Sequence, residues 1–538
     1  MNIHADGNRI QERREDLVPV KIIDQSGVRS AEQLLTPRSP CISFSRENCT
    51  RLAGIGAYVL LDFGQEICGS ARIVTRAVEH LSKVARWRIT FGESVSEACS
   101  CIGYKNATND HSPRDFEIIT PAMSDLTFGQ TGFRFLRLEL LSDAIVLVKN
   151  IYAVSVEPEF PNEGSITTND EQLNEIIRVA TRTLKLCFQN GYIWDGIKRD
   201  RLVWCGDLHP EILASLYMFG NTQNIKNSLN FLRDETPPDK WINNMPPYSA
   251  WWVICLCDYC RITGDTEYYK ENRKYALSII SHINRCFDDT STYRFTDTGG
   301  TETFLDWSTY QTPDSPFGSA AVYAYAAKKM MEREDSAYCR KLLRKMTAYF
   351  TYPGRRKPTC ALQILAGRQN PYDLSVLEEN GAADFSTFMA YYILTAMSKL
   401  HGRKMLTILK SYYGAMLDRG ATTFWEDFNI KWLEGSGRID EMPTEDQYDI
   451  HGDYGRYCYK KFRHSLCHGW SAGILAFIVE YILGIQIEGK NIRIDAHYLG
   501  ITDIDATIPL SDTESLTYHY SNYKLVAKAP DGYKLTIL

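Results

Sequence analysis

The sequence predicts a multidomain α+β protein: an N-terminal antiparallel β-sandwich over residues 1–160, a toroid of paired helices over 161–484, and a small C-terminal β-domain over 485–538. Three observations predict it. At 538 residues the chain exceeds one hydrophobic core, since domains run to about 100–200 residues. Its apolar periodicity changes from two to helical near residue 160. It returns to two after Gly484.

In the first region YVLLDF, ARIVTRAV, VARWRITF, FEIIT and GFRFLRLELL are short alternating runs separated by Gly, Asn and Asp clusters, the pattern of half-buried antiparallel strands. The segment EPEFPNEGSITTND ends it with Pro and Gly. Long helical stretches follow, among them DEQLNEIIRVATRTLKLCFQN, HPEILASLYMFG, SAAVYAYAAKKMMERE and DFSTFMAYYILTAMSKL. The last, AGILAFIVEYILG, has no polar face, so it must be buried all round on an inner ring. IQIEG, NIRIDAHYLG, SLTYHY and YKLTIL read as strands of the C-terminal module.

Composition narrows the function. With 60 Lys+Arg against 66 Asp+Glu and no dense basic run, nucleic acid is not an expected partner. No segment reaches the length of a membrane span, and the N-terminus lacks the apolar stretch of a signal peptide, so a soluble cytoplasmic protein is expected. Fifteen scattered cysteines suit a reduced compartment. Cys255, Cys257 and Cys260 have a metal-ligand spacing, but no second pair follows, so they read as part of a buried helix. The Asn-x-Thr sites at Asn48 and Asn106 carry no meaning without secretion. Neither cofactor nor metal is expected. The aromatic share, 12%, hints at platforms for sugar rings.

The chemistry gathers in three places. Asp195, Lys198, Arg199, Asp200, Arg201, Trp204, Asp207, His209 and Glu211 lie within eighteen residues starting at Trp194, just before an amphipathic helix that Asp207 is placed to cap. Charges and indoles on a loop entering a helix can line a pocket mouth; a salt-bridged loop anchor is the competing structural explanation. Glu426 follows Trp425 in TTFWED. His468 stands in HSLCHGWSAG, at the entrance of the apolar helix.

These motifs, in this order, resemble the bacterial α-L-rhamnosidases of glycoside hydrolase family 78. The resemblance runs from LLDFGQEICG and RWRITFGESVSEA through Asp195-x4-Asp200-Arg201-x2-Trp204-x-Gly206-Asp207 to TTFWE and SLCHGWSAG. It implies an (α/α)6-barrel catalytic domain flanked by β-sandwiches, which removes terminal α-L-rhamnose from oligosaccharides or glycosides with inversion. It implies Asp200 as general acid and Glu426 as general base. The substrate-binding residues it suggests are Asp195, Trp204, Asp207, Asp306, Trp307 and His468, and Arg199, Trp252 and Trp425 are further candidates for contact with the substrate. The family's general acid is commonly Glu, so Asp200 is one methylene short.

Inversion needs a protonated carboxyl beside the leaving oxygen and an ionised one activating water, about 6.5–9.5 Å apart. Asp195 and Asp207 would favour the protonated form of Asp200, so Arg199 and Arg201 should point away or hold the other acids. Two rivals remain: an exo-glycosidase or lyase for another deoxy or uronic sugar, and a non-catalytic carbohydrate-binding protein. A homodimer is compatible with the sequence.

Overall fold

The computed structural model describes residues 11–287, 303–308, 312–351, 354–402 and 404–538. Its architecture is multidomain α+β. Among the described residues, nine strands between residues 11 and 159 pair antiparallel into one sheet around its own core. Three long strands, Tyr58–Glu79, Ser124–Leu140 and Ile145–Glu159, form its spine. The register of Tyr58–Glu79 shifts at Asp62/Ile67 and Gly69/Ala71, and such bulges bend a sheet over its core. Gly69 is required there, because a Cβ would come within 2.0 Å of Val154 O. Two further strands, Gln11–Leu17 and Lys21–Ser26, lie outside the alternating pattern of the sequence. Their side chains are largely exposed, and an edge strand with no buried face leaves no period-two signal.

A single turn, α1 (Val95–Ala98), is capped by Ser94, which accepts from Glu97 N. The helical region then runs α2 (Glu171–Cys187), α3 (Cys205–Met218), α4 (Gln223–Glu235), α5 (Pro246–Thr263), α6 (Thr266–Cys286), α7 (Ser315–Arg333) and α8 (Ala337–Thr347). It continues through α9 (Lys357–Leu365), α10 (Pro371–Glu378), α11 (Ala390–Lys399), α12 (Met405–Asp418) and α13 (Ile474–Phe477). Alternate helices touch: α3 packs on α5, α5 on α7, α7 on α9, α9 on α11, α11 on α13, and α13 returns to α3. Every residue of α3 is buried, whereas α2 and α8 keep one polar face. Cys255, Cys257 and Cys260 are buried core residues of α5.

The apolar run at the end of this region is not one regular helix. It passes from a 3-10 turn, Gly469–Gly473, through α13 to a π turn, Ile478–Ile482. The run is nonetheless buried, with Glu480 accepting from Tyr217 Oη at 2.9 Å and Tyr391 Oη at 3.0 Å. After it, Ile485–Glu488, Asn491–Ile494 and Lys534–Ile537 form one small sheet. Ile504–Pro509, Ser515–Ser521 and Lys524–Lys528 form another with Ser165–Thr168, a strand that precedes the helices. Ile485, Ile494 and Ile504 belong to the same apolar core as the helices. Among the described residues no helix is long and apolar enough to cross a membrane.

Candidate active site

The three sequence clusters converge. Asp195 N donates to Leu202 O at 3.0 Å and Leu202 N to Asp195 Oδ1 at 2.9 Å, closing the loop from 195 to 202 across its base. At its tip Asp200 and Arg201 take left-handed backbone angles, φ 58° and 55°. Two such non-glycine residues store strain of about 1–3 kcal/mol each, which persists only where the surroundings impose it. The segment around Glu426 is laced to the one around His468. Thr423 Oγ1 donates to Leu466 O at 2.7 Å, His468 N to Phe424 O at 3.1 Å, and Trp470 Nε1 to Glu426 O at 2.9 Å. Gly469 N donates to Asp195 O at 2.7 Å and joins this pair to the first loop.

Between these segments lies a cavity of about 270 Å³. Of the residues the sequence nominated, Asp195, Arg199, Asp200 and Trp204 line it, with Asp207, Trp307, Glu426 and His468. Three do not. Trp252 is fully buried in the core of α5, its indole N–H donating to Leu229 O at 3.0 Å. Trp425 is 1% exposed and packs edge-on against Phe428, because its backbone turns the indole inward where it turns Glu426 to the cavity. Asp306 is buried beneath the wall, accepting from Ser308 Oγ at 2.7 Å and Ser386 Oγ at 2.5 Å, and so supports the loop of Trp307.

Asp207 is not the helix cap: α3 starts at Cys205, Trp204 is the capping residue, and Asp207 lies in the first turn facing His468. The sequence clusters missed Met245, Tyr248, Phe304, Cys458, Tyr459, Arg463 and Trp470 as lining residues. Of these only Trp470 lay inside a recognisable motif.

Arg199 organises the electrostatics. Its Nη1 lies 3.2 Å from both carboxyl oxygens of Asp200, and its Nη2 donates to Glu426 Oε1. The expectation that both arginines avoid Asp200 therefore fails for Arg199. Arg201 does turn away, to Gln130 O at 3.1 Å and His111 O at 3.0 Å. Burial works against the Arg199 charge, but Glu426 and Asp200 outweigh it and hold the guanidinium firmly protonated. Ser465 N donates to the other oxygen of Glu426 at 3.0 Å.

Burial, then the charges of Asp200 and Asp207, push the Asp195 carboxyl well above the ordinary carboxylate range. Burial also raises Asp207, opposed by His468 Nε2, 3.0 Å from its Oδ2. Glu211, fully buried, is raised by burial and by Asp207 and Asp195. Acids held protonated can donate to sugar hydroxyls as well as accept from them.

The N-terminal sheet reaches this site. Glu93 accepts from Leu466 N at 2.6 Å and Ser465 Oγ at 3.3 Å, directly behind Glu426. Glu93, Glu97 and His451 form the one group of metal-ligand type found among the described residues, and the Lys198 ammonium lies within it. Lys198 Nζ is 3.1 Å from Glu93 Oε2, 2.8 Å from Glu97 Oε1 and 2.7 Å from His464 O. Burial, with Lys198 alongside, holds His451 neutral. From the same sheet region His111 Nε2 comes within 3.1 Å of Asp200 Oδ1.

Residues 161–353 match the family model of the bacterial α-L-rhamnosidase six-hairpin glycosidase domain. The structure resembles a family 78 rhamnosidase of Bacillus sp. GL1 with a TM-score of 0.72 at 18% identity, over 95% of this chain and 55% of that one. A rhamnosidase from Klebsiella oxytoca, with rhamnose bound, matches with a TM-score of 0.68 at 20% identity, over 87% of this chain and 96% of that one. The Streptomyces avermitilis α-L-rhamnosidase complexed with L-rhamnose matches with a TM-score of 0.63 at 15% identity, over 87% and 47%. The chain thus spans about half the length of the Bacillus and Streptomyces proteins. No curated protein matches the sequence.

Proposed function

We propose, from the match of residues 161–353 to the six-hairpin glycosidase domain of bacterial α-L-rhamnosidases, that the chain is an exo-acting, inverting glycoside hydrolase that releases terminal α-L-rhamnose. The observation that carries this is the pair Asp200 and Glu426, bridged by Arg199 and lining one cavity. One guanidinium touching both holds the two carboxyls on a single cavity, as a proton donor and a water-activating base require.

Asp200 protonates the departing oxygen. Glu426, its charge supported by Arg199 and Ser465 N–H, takes a proton from the attacking water. Trp204 and Trp307 supply apolar faces, and Asp195, Asp207 and His468 the polar contacts. Size supports exo-action: about 270 Å³ is at the small end of ligand pockets, about 300–1,000 Å³, and suits one monosaccharide unit. The alternating contacts that run from α3 to α13 and back support an (α/α)6 barrel over 161–484, between a β-sandwich and a C-terminal β-domain. The fifteen free cysteines favour a cytoplasmic location.

The test is hydrolysis of p-nitrophenyl α-L-rhamnoside, with the anomer released first read by NMR. β-L-Rhamnose is expected. Initial release of the α-anomer would overturn inversion. No turnover of any α-L-rhamnoside, with turnover of another nitrophenyl glycoside, would move the assignment to that sugar.

A further inference from the structure

We propose that a second cavity, adjoining the catalytic one, is a subsite for the leaving group and takes an acidic sugar, a uronate whose carboxylate meets Lys431 and Arg456. The inference rests on the glycosidase reading and adds to it the chemical class of the group to which the rhamnose is attached.

The catalytic cavity, at about 270 Å³, suits one monosaccharide unit, so the remainder of a substrate must lie outside it. A cavity of about 560 Å³ lies beside it. Trp307 and Tyr459 line both cavities and form the wall they share. Three chain segments pass from one cavity to the other. Glu426 lines the first, and Asp427, Asn429 and Lys431 of the same stretch line the second. Cys458 lines the first, whereas Tyr454, Arg456 and Tyr457 line the second, and Ser308 follows Trp307 into it. Successive Cα atoms are only about 3.8 Å apart, so cavities lined by such close neighbours abut.

The lining suits a sugar. Trp432 stacks on Tyr454 with ring centres 5.5 Å apart at 13°, and Trp307 on Tyr457 at 5.5 Å and 29°. All four rings line the cavity with the amide of Asn429 and the hydroxyl of Ser308, a combination that meets both the C–H face of a sugar and its hydroxyl rim. Asn429 also sets the place of Lys431: its Oδ1 accepts from Lys431 N at 3.0 Å and starts the turn Ile430–Leu433.

Charge decides the class of sugar. The charged residues on this lining are Arg356, Asp384, Asp427, Lys431, Asp453 and Arg456. Asp384 is matched by Arg356, whose Nε donates to Oδ1 at 2.8 Å, and its other oxygen accepts from Lys357 N at 3.0 Å. Asp453 lies 2.6 Å from Lys105 Nζ and accepts from Asp449 N at 2.9 Å. Burial pushes Asp427 up to about 8, so it brings no full charge at neutral pH. Lys431 and Arg456 are left over. Both are exposed, and among the described residues neither side chain has an ion-pair or hydrogen-bond partner. A neutral leaving group would leave the two cations unused, whereas a carboxylate accepts from the ammonium and from the planar fork of the guanidinium.

The test compares the wild type with the double variant Lys431→Gln, Arg456→Gln on three substrates: an α-L-rhamnosyl-glucuronate disaccharide, the methyl ester of the same disaccharide, and p-nitrophenyl α-L-rhamnoside. Both side chains are exposed and unpaired, so the double variant should fold as the wild type does. In the wild type the free acid should exceed its ester in kcat/KM by about fivefold or more, as two exposed charge contacts allow. The double variant should lose that preference through KM, with kcat and the p-nitrophenyl rate changed less than about twofold. Added salt should erode the preference of the wild type and leave the variant as it was. Equal rates on acid and ester, or a preference that survives in the double variant, would overturn the proposal. If the wild type hydrolyses no rhamnoside, calorimetric titration with sodium glucuronate and with glucose separates the two readings. Glucuronate binding that the double variant loses keeps the acidic subsite and discards the rhamnosidase reading, and glucuronate bound no better than glucose overturns the subsite as well.

Discussion

The backbone N–H of Ser465 donates to Glu426 Oε2 at 3.0 Å, and the backbone N–H of Glu426 donates back to Ser465 O at 2.9 Å. With Arg199 on Oε1, both carboxylate oxygens face donors. Glu426→Gln keeps the shape but must turn its amide N–H2 toward one of them. We expect kcat to fall by at least about a hundredfold, the usual worth of a positioned base. Stability should fall by about 1–3 kcal/mol, because a buried donor is left facing a donor. Steady-state kinetics and thermal denaturation measure the two. Near-normal turnover of a sugar-linked rhamnoside would remove Glu426 from the reaction.

Lys198 ties the sheet region to the site. It is 3% exposed between Glu93, at 0%, and Glu97, at 3%. Lys198→Met leaves the buried Glu93 without its ion-pair partner, while Glu97 keeps Arg114 at 3.0 Å, and this should destabilise the protein by about 3–5 kcal/mol. Adding Glu93→Gln should recover part of that loss, so the double variant is less destabilised than the sum of the two single ones. Strict additivity in denaturant melts would show that the ions do not act as a unit.

The clusters that the sequence made legible were those where several chemical groups stand close in the chain: Asp195 to Asp207, the turn at Glu426, and His468. Chain proximity did not tell which way a ring points, so Trp252 and Trp425, beside promising neighbours, turned out to be core residues. Tyr248, Tyr459 and His111 reach the site from separate segments through tertiary packing, which a single sequence does not reveal. Hydropathy announced the buried run ending near Gly484 but not its change of helical pitch. That change accompanies close packing, since a Cβ on Gly469 would lie 2.0 Å from Glu211 Oε1 and one on Gly473 would lie 2.7 Å from Pro210 Cβ.

Asp427, next to Glu426, offers a pH prediction. Burial, then the charge of Asp306, pushes its carboxyl up to about 8. In the unfolded chain an aspartate titrates near about 3.9, so between these values the folded state keeps a proton that the unfolded state has released. Its contribution is complete below the unfolded value and is lost as pH rises through the folded one. Asp427→Asn carries no such penalty. Its melting temperature relative to wild type should therefore rise from pH 5 to pH 8, and a difference constant across that range would place the carboxyl in the ordinary range.

Two tryptophans separate the pocket from the core. Trp204 is half-buried on the cavity wall, edge-on to Tyr248 at 6.0 Å, and its indole N–H has no hydrogen-bond partner among the described residues. Trp252 is buried completely, satisfied by Leu229 O and packed edge-on against Tyr275 at 4.9 Å. Trp252→Ala should cost about 3–5 kcal/mol of stability, as large-to-small changes in cores do. The folded fraction should keep its affinity for rhamnose. Trp204→Ala should weaken rhamnose binding by about tenfold, since stacking on a sugar face and a donated hydrogen bond together amount to about 1–2 kcal/mol. Its melting temperature should change little by comparison. Calorimetric titration of rhamnose and thermal melts of both variants distinguish the roles, and the reverse pattern would place Trp204 in the core and remove the aromatic wall from the proposed site.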